Sequence, residues 1–256
     1  MAETDSPFDA VQPYEDLLVD WERRLEREAP FFQRAFSSVG AHRVLDCVCG
    51  TGRHVCLFAR WGIDAVGSDL SPARVEAARR HARDAGAAVR FEVADFRRLP
   101  ETFPQPFDAV ICTGGLPLAG SPDAMRQAIA SMRDVLRPDG LLIVQCLNFE
   151  MIPEGRIAVH RLHTCEVDDR EVLILKLFRK IRRRCDILTL VLDKHAGEWT
   201  TVDMPAQAWA VTHDELEAML TKAGLGRIQR YGDYEPKPFD PATSPALILV
   251  ARKAKD

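Results

Sequence analysis

The chain has no apolar run approaching the roughly 18–20 residues that cross a bilayer, which excludes a helical membrane span from the sequence. Its opening stretch, MAETDSPFDAVQP, is acidic and lacks the basic-then-apolar order of a signal peptide, so a cytoplasmic protein is expected. Charge of one sign is not in excess: the formal net charge is −4, too small to draw the whole molecule to nucleic acid. There is no CxxC pair among the seven cysteines, whose number is odd and most of which lie inside apolar runs. That pattern is expected of reduced cysteines packed as small hydrophobes. A metal site built on Cys47, Cys49 and Cys56 would match no standard zinc spacing, and no metal is expected. Internal repeats and low-complexity segments are also lacking.

What remains is an ordinary globular composition over 256 residues, 46% hydrophobic and 28% charged, enough for one large domain or one domain with an insertion. Leu17, Leu18, Trp21, Leu25, Phe32 and Phe36 recur at a helical period, predicting one or two amphipathic helices interrupted near Pro30. Strand-like HRVLDCV, a Gly turn and helical RHVCLFARWG follow, then strand IDAVGSDL and helix SPARVEAARRHARDAG. The alternation continues through AAVRFEVADF, FDAVICTG, a helix SPDAMRQAIASMRDVLRPDG and LLIVQCLNF. Ser71 and Ser121, each before a proline, are N-cap starts, and RPDG marks a turn that feeds a strand. Five strands alternating with helices predict an α/β, doubly wound parallel sheet covered on both faces. After Phe149 the chain is β-rich through Ala210, with a hairpin signal at KHAGEW. Thr212 to Glu215 form a capping box for the next helix, and GRIQRYGDY and PALILVARK supply a final strand pair.

A strand, a Gly turn and a helix N-terminus make a nucleotide-like ligand site at the carboxyl ends of strands. The dinucleotide fingerprint fits poorly, because its register puts Val55 in the third small position and Asp46 beside the phosphates. A ligand without phosphates and with a positive centre suits Asp46 better.

These features resemble class I S-adenosylmethionine-dependent methyltransferases over nearly the whole chain. VLDCVCGTG resembles their first motif, with Val48 where the fullest form has glycine; VGSDLSP, VADFRRLP, FDAVICTGGLPL and LRPDGLLIVQ resemble the next four. The resemblance implies a mostly parallel seven-stranded Rossmann-like sheet with an antiparallel β-rich insertion covering the active site. It implies S-adenosyl-L-methionine as cofactor. Asp46 and the turn Cys49, Gly50, Thr51 and Gly52 would hold the methionine moiety, and Asp69 with Leu70 the ribose. Asp95 would meet the adenine amino group, Phe96 would cover the ring, and Thr113 and Gly114 would face the transferable methyl. Tyr14 and Trp21 would close over the cofactor. Implied units are an N-terminal helical lid (1–40), the cofactor-binding core (41–150), the β-rich substrate cover (151–210) and a C-terminal helix with the last core strands (211–256).

The fourth motif lacks the aromatic clamp of base-amine methylases. The basic run Arg179, Lys180, Arg182, Arg183 and Arg184 suggests either a grip on RNA phosphate or a solvated strand face or hairpin tip, and the solvated reading is preferred. VQCLNFEMI resembles a stretch in glycine and sarcosine N-methyltransferases, with Asn148 matching, Phe149 replacing a tyrosine and Glu150 lengthening an acid. YGDYEPKPFD also resembles those relatives. The expectation is therefore methyl transfer to a small-molecule acceptor, at an amine nitrogen by in-line displacement. A hydroxyl acceptor would need a general base, and the candidates are His54 after the Gly turn and His160 and His163 in the cover; Asn148 is the other catalytic candidate. Arg161, Phe149 and Trp209 are candidate acceptor contacts. His81 and His213 are expected to be structural. O- or S-methylation, an NAD(P)-dependent oxidoreductase and a non-catalytic cofactor- or RNA-binding protein are the competing readings; monomer and dimer both stay open.

Overall fold

The structure, a computed structural model, describes Tyr14, residues 16–235 and residues 237–255. Helix α1 (Trp21–Ser37) is followed by β1 (Arg43–Asp46), α2 (Arg53–Ala59), β2 (Asp64–Asp69), α3 (Pro72–Asp84) and β3 (Arg90–Val93). Then come a single turn α4 (Leu99–Thr102), β4 (Phe107–Thr113), α5 (Pro122–Asp134) and β5 (Leu136–Leu147). Four long strands, β6 (Ile157–Val167), β7 (Arg170–Ile181), β8 (Arg184–His195) and β9 (Glu198–Trp209), precede α6 (His213–Lys222), β10 (Leu225–Tyr231) and β11 (Ala246–Lys253).

The first sheet has seven strands in the order β10-β11-β5-β4-β1-β2-β3. The β1–β5 neighbours pair in parallel, and β11 and β10 close the edge antiparallel. Both faces are covered, so successive residues serve opposite layers: Val44 packs with α1, α2 and α3, Leu45 with α5 and α6. β1 lies between β2 and β4, where strand order reverses; in open α/β sheets that crevice at the carboxyl ends takes the ligand.

The expected caps are present. Ser71 and Ser121 accept the backbone N–H groups of Arg74 and Ala124, each at 3.2 Å, and Thr212 with Glu215 makes the full capping box. Two expectations need correction. α1 runs unbroken through Pro30, because Phe31, Phe32 and Phe36 on its buried face pack into an aromatic cluster with Phe58 and Tyr234. RPDG lies inside β5 rather than before it: Phe107 pairs with Leu136 and Ala109 with Leu141, so residues 137–140 bulge from a continuing strand, with Asp139 at φ 59°.

The β-rich insertion is a separate antiparallel meander, β6-β7-β8-β9. Its three hairpins have two-residue loops, Asp168-Asp169, Arg182-Arg183 and Ala196-Gly197, with positive φ at all of these except Arg183. Among the described residues no helix is long and apolar enough to cross a membrane.

Candidate cofactor and acceptor site

The tight turn after β1 is shaped by what a side chain would strike. Gly52, the N-cap of α2 at φ 77°, would bring a Cβ within 2.7 Å of the Phe91 ring and 2.9 Å of Ala78 Cβ. The turn therefore lies flat on β3 and α3. Val48 is accommodated from across β4: a Cβ on Gly115 would lie 2.6 Å from Val48 Cγ1, so glycine there leaves room for valine here.

Asp46 ends β1 and is buried. Its Oδ1 accepts the Val48 N–H at 3.3 Å, whereas Oδ2 has no hydrogen-bond partner. Burial pushes its carboxyl up to about 6, against the pull of His54 and the Val48 N–H, with Asp69 adding repulsion. A buried carboxylate oxygen with no partner is costly unless a cation or donor arrives. This oxygen fits a ligand with an ammonium and a sulfonium, and does not fit a pyrophosphate.

Asp69 ends β2 and draws the turn inward: Oδ2 accepts the Gly50 N–H at 3.0 Å and Oδ1 the Ser71 N–H at 3.0 Å. Leu70 beside it is 53% exposed, an open apolar surface at the strand end. Asp95, beyond β3, is engaged differently. Arg97 holds it through Nε and Nη2 at 2.9 and 2.5 Å, and that charged pairing keeps its carboxyl below the usual range despite the opposing effect of partial burial. Phe96 packs on the core cluster beside it. Cys49 is a buried thiol whose N–H donates to Ser68 O, and Cys47 Sγ donates to Ile111 O at 3.2 Å; the two belong to opposite core layers.

The N-terminal segment is tied onto this turn. Asp16 accepts from Thr51 Oγ1 at 2.8 Å and from Arg53 Nη2 at 2.7 Å. Behind it runs a buried chain in which Arg24 Nε meets Glu28 Oε1 at 2.8 Å and Glu28 Oε2 meets His54 Nε2 at 2.7 Å. His54 is thus held by Glu28 and packed against Trp21, Phe32 and Phe58, where a candidate base was expected to face the pocket. Trp21 does stand near the turn, with its ring edge on His54 and Arg24 over its face at 4.9 Å.

Above the ends of β4 and β5, a cavity of about 460 Å³ opens under the insertion. Thr113, Gly114, Gln145 and Phe149 form its floor, His160, Arg161, Lys176, Ile187 and Ala208 its roof, and Arg24, Glu28, Asp233 and Tyr234 its wall. His160 lies against Phe178 at 4.6 Å; burial, reinforced by Lys176 and Arg161, lowers it to about 4, so it is neutral at ordinary pH. Arg161 also donates to the Leu18 carbonyl, joining the roof to the N-terminal segment. The buried Tyr234 hydroxyl lies beside Arg24 but outside hydrogen-bond geometry.

Several expected site residues are placed elsewhere. Asn148 spends its amide on the Pro241 and Ser244 carbonyls, both at 2.9 Å, and its Oδ1 on the Glu150 N–H; it clamps the loop before β11. Trp209 packs on the core cluster at the end of β9 and does not line the cavity. His163 is exposed on the edge strand β6. Tyr14 donates to Asp193 Oδ2 at 2.8 Å on the insertion, away from the Gly turn. The basic run disperses into separate contacts: Lys180 to the Phe149 carbonyl, Arg183 to Glu215 and Arg184 to Asp186. His213 bonds Glu150 Oε2 at 2.7 Å at the head of α6, as a structural group.

Sequence reasoning missed Glu28, Arg24, Lys176, Asp233 and Tyr234. Glu28 was signalled: it falls between Leu25 and Phe32 on the apolar stripe of α1, where a carboxylate must have a partner.

A family model described as a methyltransferase domain matches residues 44–140. Over 148 residues, 57% of this chain and 52% of its relative, the sequence is 38% identical to a glycine/sarcosine N-methyltransferase of Parasynechococcus marenigrum. A second glycine/sarcosine N-methyltransferase, from Aphanothece halophytica, is 32% identical over 59% of this chain and 57% of its own length. The chain thus spans about half the length of the curated relatives it matches. In structure it is similar to a sugar N-methyltransferase from Streptoalloteichus, with a TM-score of 0.78 at 22% identity over 100% of this chain and 96% of that one. Sheet order, the carboxylates at the ends of β1 and β2, and the matched segment together make residues 44–140 a domain of the class I S-adenosylmethionine-dependent methyltransferase family.

Proposed function

We propose that the chain transfers a methyl group from S-adenosyl-L-methionine to an amine nitrogen of a small molecule held in the cavity over β4 and β5. The observation that carries this reading is the buried, half-satisfied Asp46 carboxylate at the switch point of the sheet. The cofactor supplies an electrophilic methyl on a sulfonium. Asp46 and the Cys49–Gly52 turn would bind its amino-acid end, and Asp69 with Leu70 its ribose. Asp95 would reach adenine with whatever acceptor capacity its pairing with Arg97 leaves. Residues 16–40 and the cover, 151–210, would exclude water from the crevice; the rest of the expected lid, 1–13 and 15, lies outside the described residues.

The acceptor chemistry follows from the roof and wall. Arg161 and Lys176 favour an acceptor with an anionic group, while Asp233 favours a nearby amine. A neutral amine needs no base in the transition state, so alignment by the cavity supplies much of the rate. O-methylation would need a base, and His160, held at about 4, is a weak one. Relatives named as glycine/sarcosine N-methyltransferases support the nitrogen reading. A cytoplasmic setting rests on the unpaired cysteines. The test is incubation of the purified chain with labelled cofactor and a metabolite pool, with products identified by mass spectrometry. A labelled N-methyl amino acid or amino sugar is expected; exclusive labelling of hydroxyl or thiol acceptors would overturn the assignment.

A further inference from the structure

The four-stranded insertion has two apolar faces, and only one is used. Val172, Ile174, Phe178, Cys185, Ile187 and Val191 point into the molecule and are buried. The alternate residues point out. Leu173, Leu175 and Leu177 of β7 stand directly opposite Leu192, Leu190 and Leu188 of β8, forming three leucine pairs in register. None of these six belongs to a buried cluster of the described residues. β6 extends the patch with Leu162, 61% exposed and opposite Leu175, and Val159, 65% exposed and opposite Leu177. The solvent face of an antiparallel sheet is ordinarily polar, and a contiguous patch of this kind marks a contact surface.

The ends of the ladder say what covers it. On β7 the leucines run between Glu171 and Arg179, and on β8 between Asp186 and Lys194. In the antiparallel register Glu171 stands opposite Lys194 at one end, and Arg179 opposite Asp186 at the other. Each strand thus has an acid at its N-terminal end and a base at its C-terminal end. Turn a second copy over about a two-fold axis parallel to the strands, and Glu171 meets Lys194 of the other copy while Arg179 meets Asp186. Turn it about an in-plane axis across the strands, and Glu171 meets Arg179 while Asp186 meets Lys194. Either rotation brings leucine onto leucine and opposite charges together, so the face is complementary to itself.

The area is sufficient. Nine residues at about 3.4 Å by four strands at about 4.8 Å give a face of roughly 600 Å² per copy. The pair then buries about 1,200 Å², the lower end of the range for a specific interface. The occupant from within the chain would be residues 1–13, but Tyr14, which follows them, is anchored on the opposite face through Asp193.

We propose that this chain forms a homodimer in which the outer faces of two β6–β9 sheets pack against each other about a two-fold axis, leaving both cavities on the far sides.

Sedimentation velocity of the full chain at tens of micromolar should give twice the 28.7 kDa chain mass. Leu190→Glu, at the centre of the ladder, should raise the dissociation constant at least a hundredfold while leaving the circular dichroism spectrum unchanged. Glu171→Lys with Asp186→Lys keeps every leucine, makes all four corners cationic and should weaken the dimer at least tenfold at low salt, with recovery as salt rises. A monomeric parent chain overturns the proposal, as does a dimer that both variants leave intact. So does a monomer that Leu190→Glu destabilises to heat, which would mean that the chain's own residues 1–13 cover the face.

Discussion

In the seven-stranded sheet, β1 is buried at Val44, Leu45 and Asp46 in succession, whereas in the four-stranded sheet β8 alternates buried Cys185, Ile187, Thr189 and Val191 with half-buried neighbours. The first sheet has helices on both faces, so function is confined to its strand ends. There stand two carboxylates, Asp46 and Asp69, and the Gly turn that Asp69 holds. The second sheet packs on the molecule by one face only. Its inner face roofs the cavity with Arg161, Lys176 and His160, and its outer face carries the leucine ladder. On the proposed reading, one sheet would hold the cofactor, and the other would admit the acceptor and carry the contact surface. Changes in the first should therefore be felt through packing and cofactor affinity, and changes in the second through acceptor selectivity and association.

Backbone geometry offers the largest contrast. Gly52→Val in the first sheet's turn forces a side chain onto Phe91 and Ala78 at a left-handed φ, and should cost about 3 kcal/mol of stability in urea denaturation. Gly197→Ala, at the β8–β9 hairpin, has φ 86° but no atom within 4 Å of the added Cβ, and should cost only about 1 kcal/mol. Equal losses would mean that the two sheets tolerate substitution alike, and the comparison would break.

Asp46→Asn comes next. It should weaken S-adenosyl-L-methionine binding by about 2 kcal/mol in calorimetry, because the cationic end loses a charged partner. Folding should respond in the opposite direction. With the carboxyl raised by burial to about 6, the native state favours the neutral acid, so this group costs stability as pH rises from the unfolded value of 3.8 through 6. The asparagine variant should therefore gain on the parent in thermal stability more at pH 8 than at pH 5. In the parent, cofactor affinity should climb as pH rises through 6 and then level off, since the cation binds the ionised form. The second sheet should show no such step from His160, which is already neutral from pH 5 to 8. A pH-independent cofactor affinity would detach Asp46 from the cofactor.

The sequence made the first sheet legible because an apolar run ended by an acid has few readings: Asp46 and Asp69 stand at the ends of β1 and β2, where they were expected. Side-chain partners were not legible. Asn148 faces two carbonyls from residues 241 and 244, His54 faces a carboxylate on α1, and Tyr14 reaches Asp193, all pairings between segments distant in sequence. Pro30 argued for a break that aromatic packing of α1 overrides. In EVLILKLFRKI both alternations are apolar, so the sequence identified a strand without showing which leucines face outward. The turns Asp168-Asp169 and Arg182-Arg183 carry no glycine; the first gives no hairpin signal, and the second suggests a hairpin tip only through its run of charge.

Tyr234→Phe should have the smallest effect, and it falls where the two regions meet. Tyr234 lies between β10 and β11 of the first sheet and forms part of the wall of the cavity roofed by the second. Its ring packs on Phe31 and Phe32, and phenylalanine preserves those contacts. What goes is a buried hydroxyl without a hydrogen-bond partner beside Arg24, so thermal stability should be unchanged or slightly higher. If that hydroxyl serves the acceptor, KM for the acceptor should rise about fivefold, equivalent to about 1 kcal/mol, with kcat and cofactor affinity unchanged. A variant with parental KM would assign Tyr234 to packing alone and move the acceptor contacts to Arg161 and Lys176. A variant with weakened cofactor binding would place the hydroxyl on the first sheet's side of the division, in the pocket that Asp46 defines.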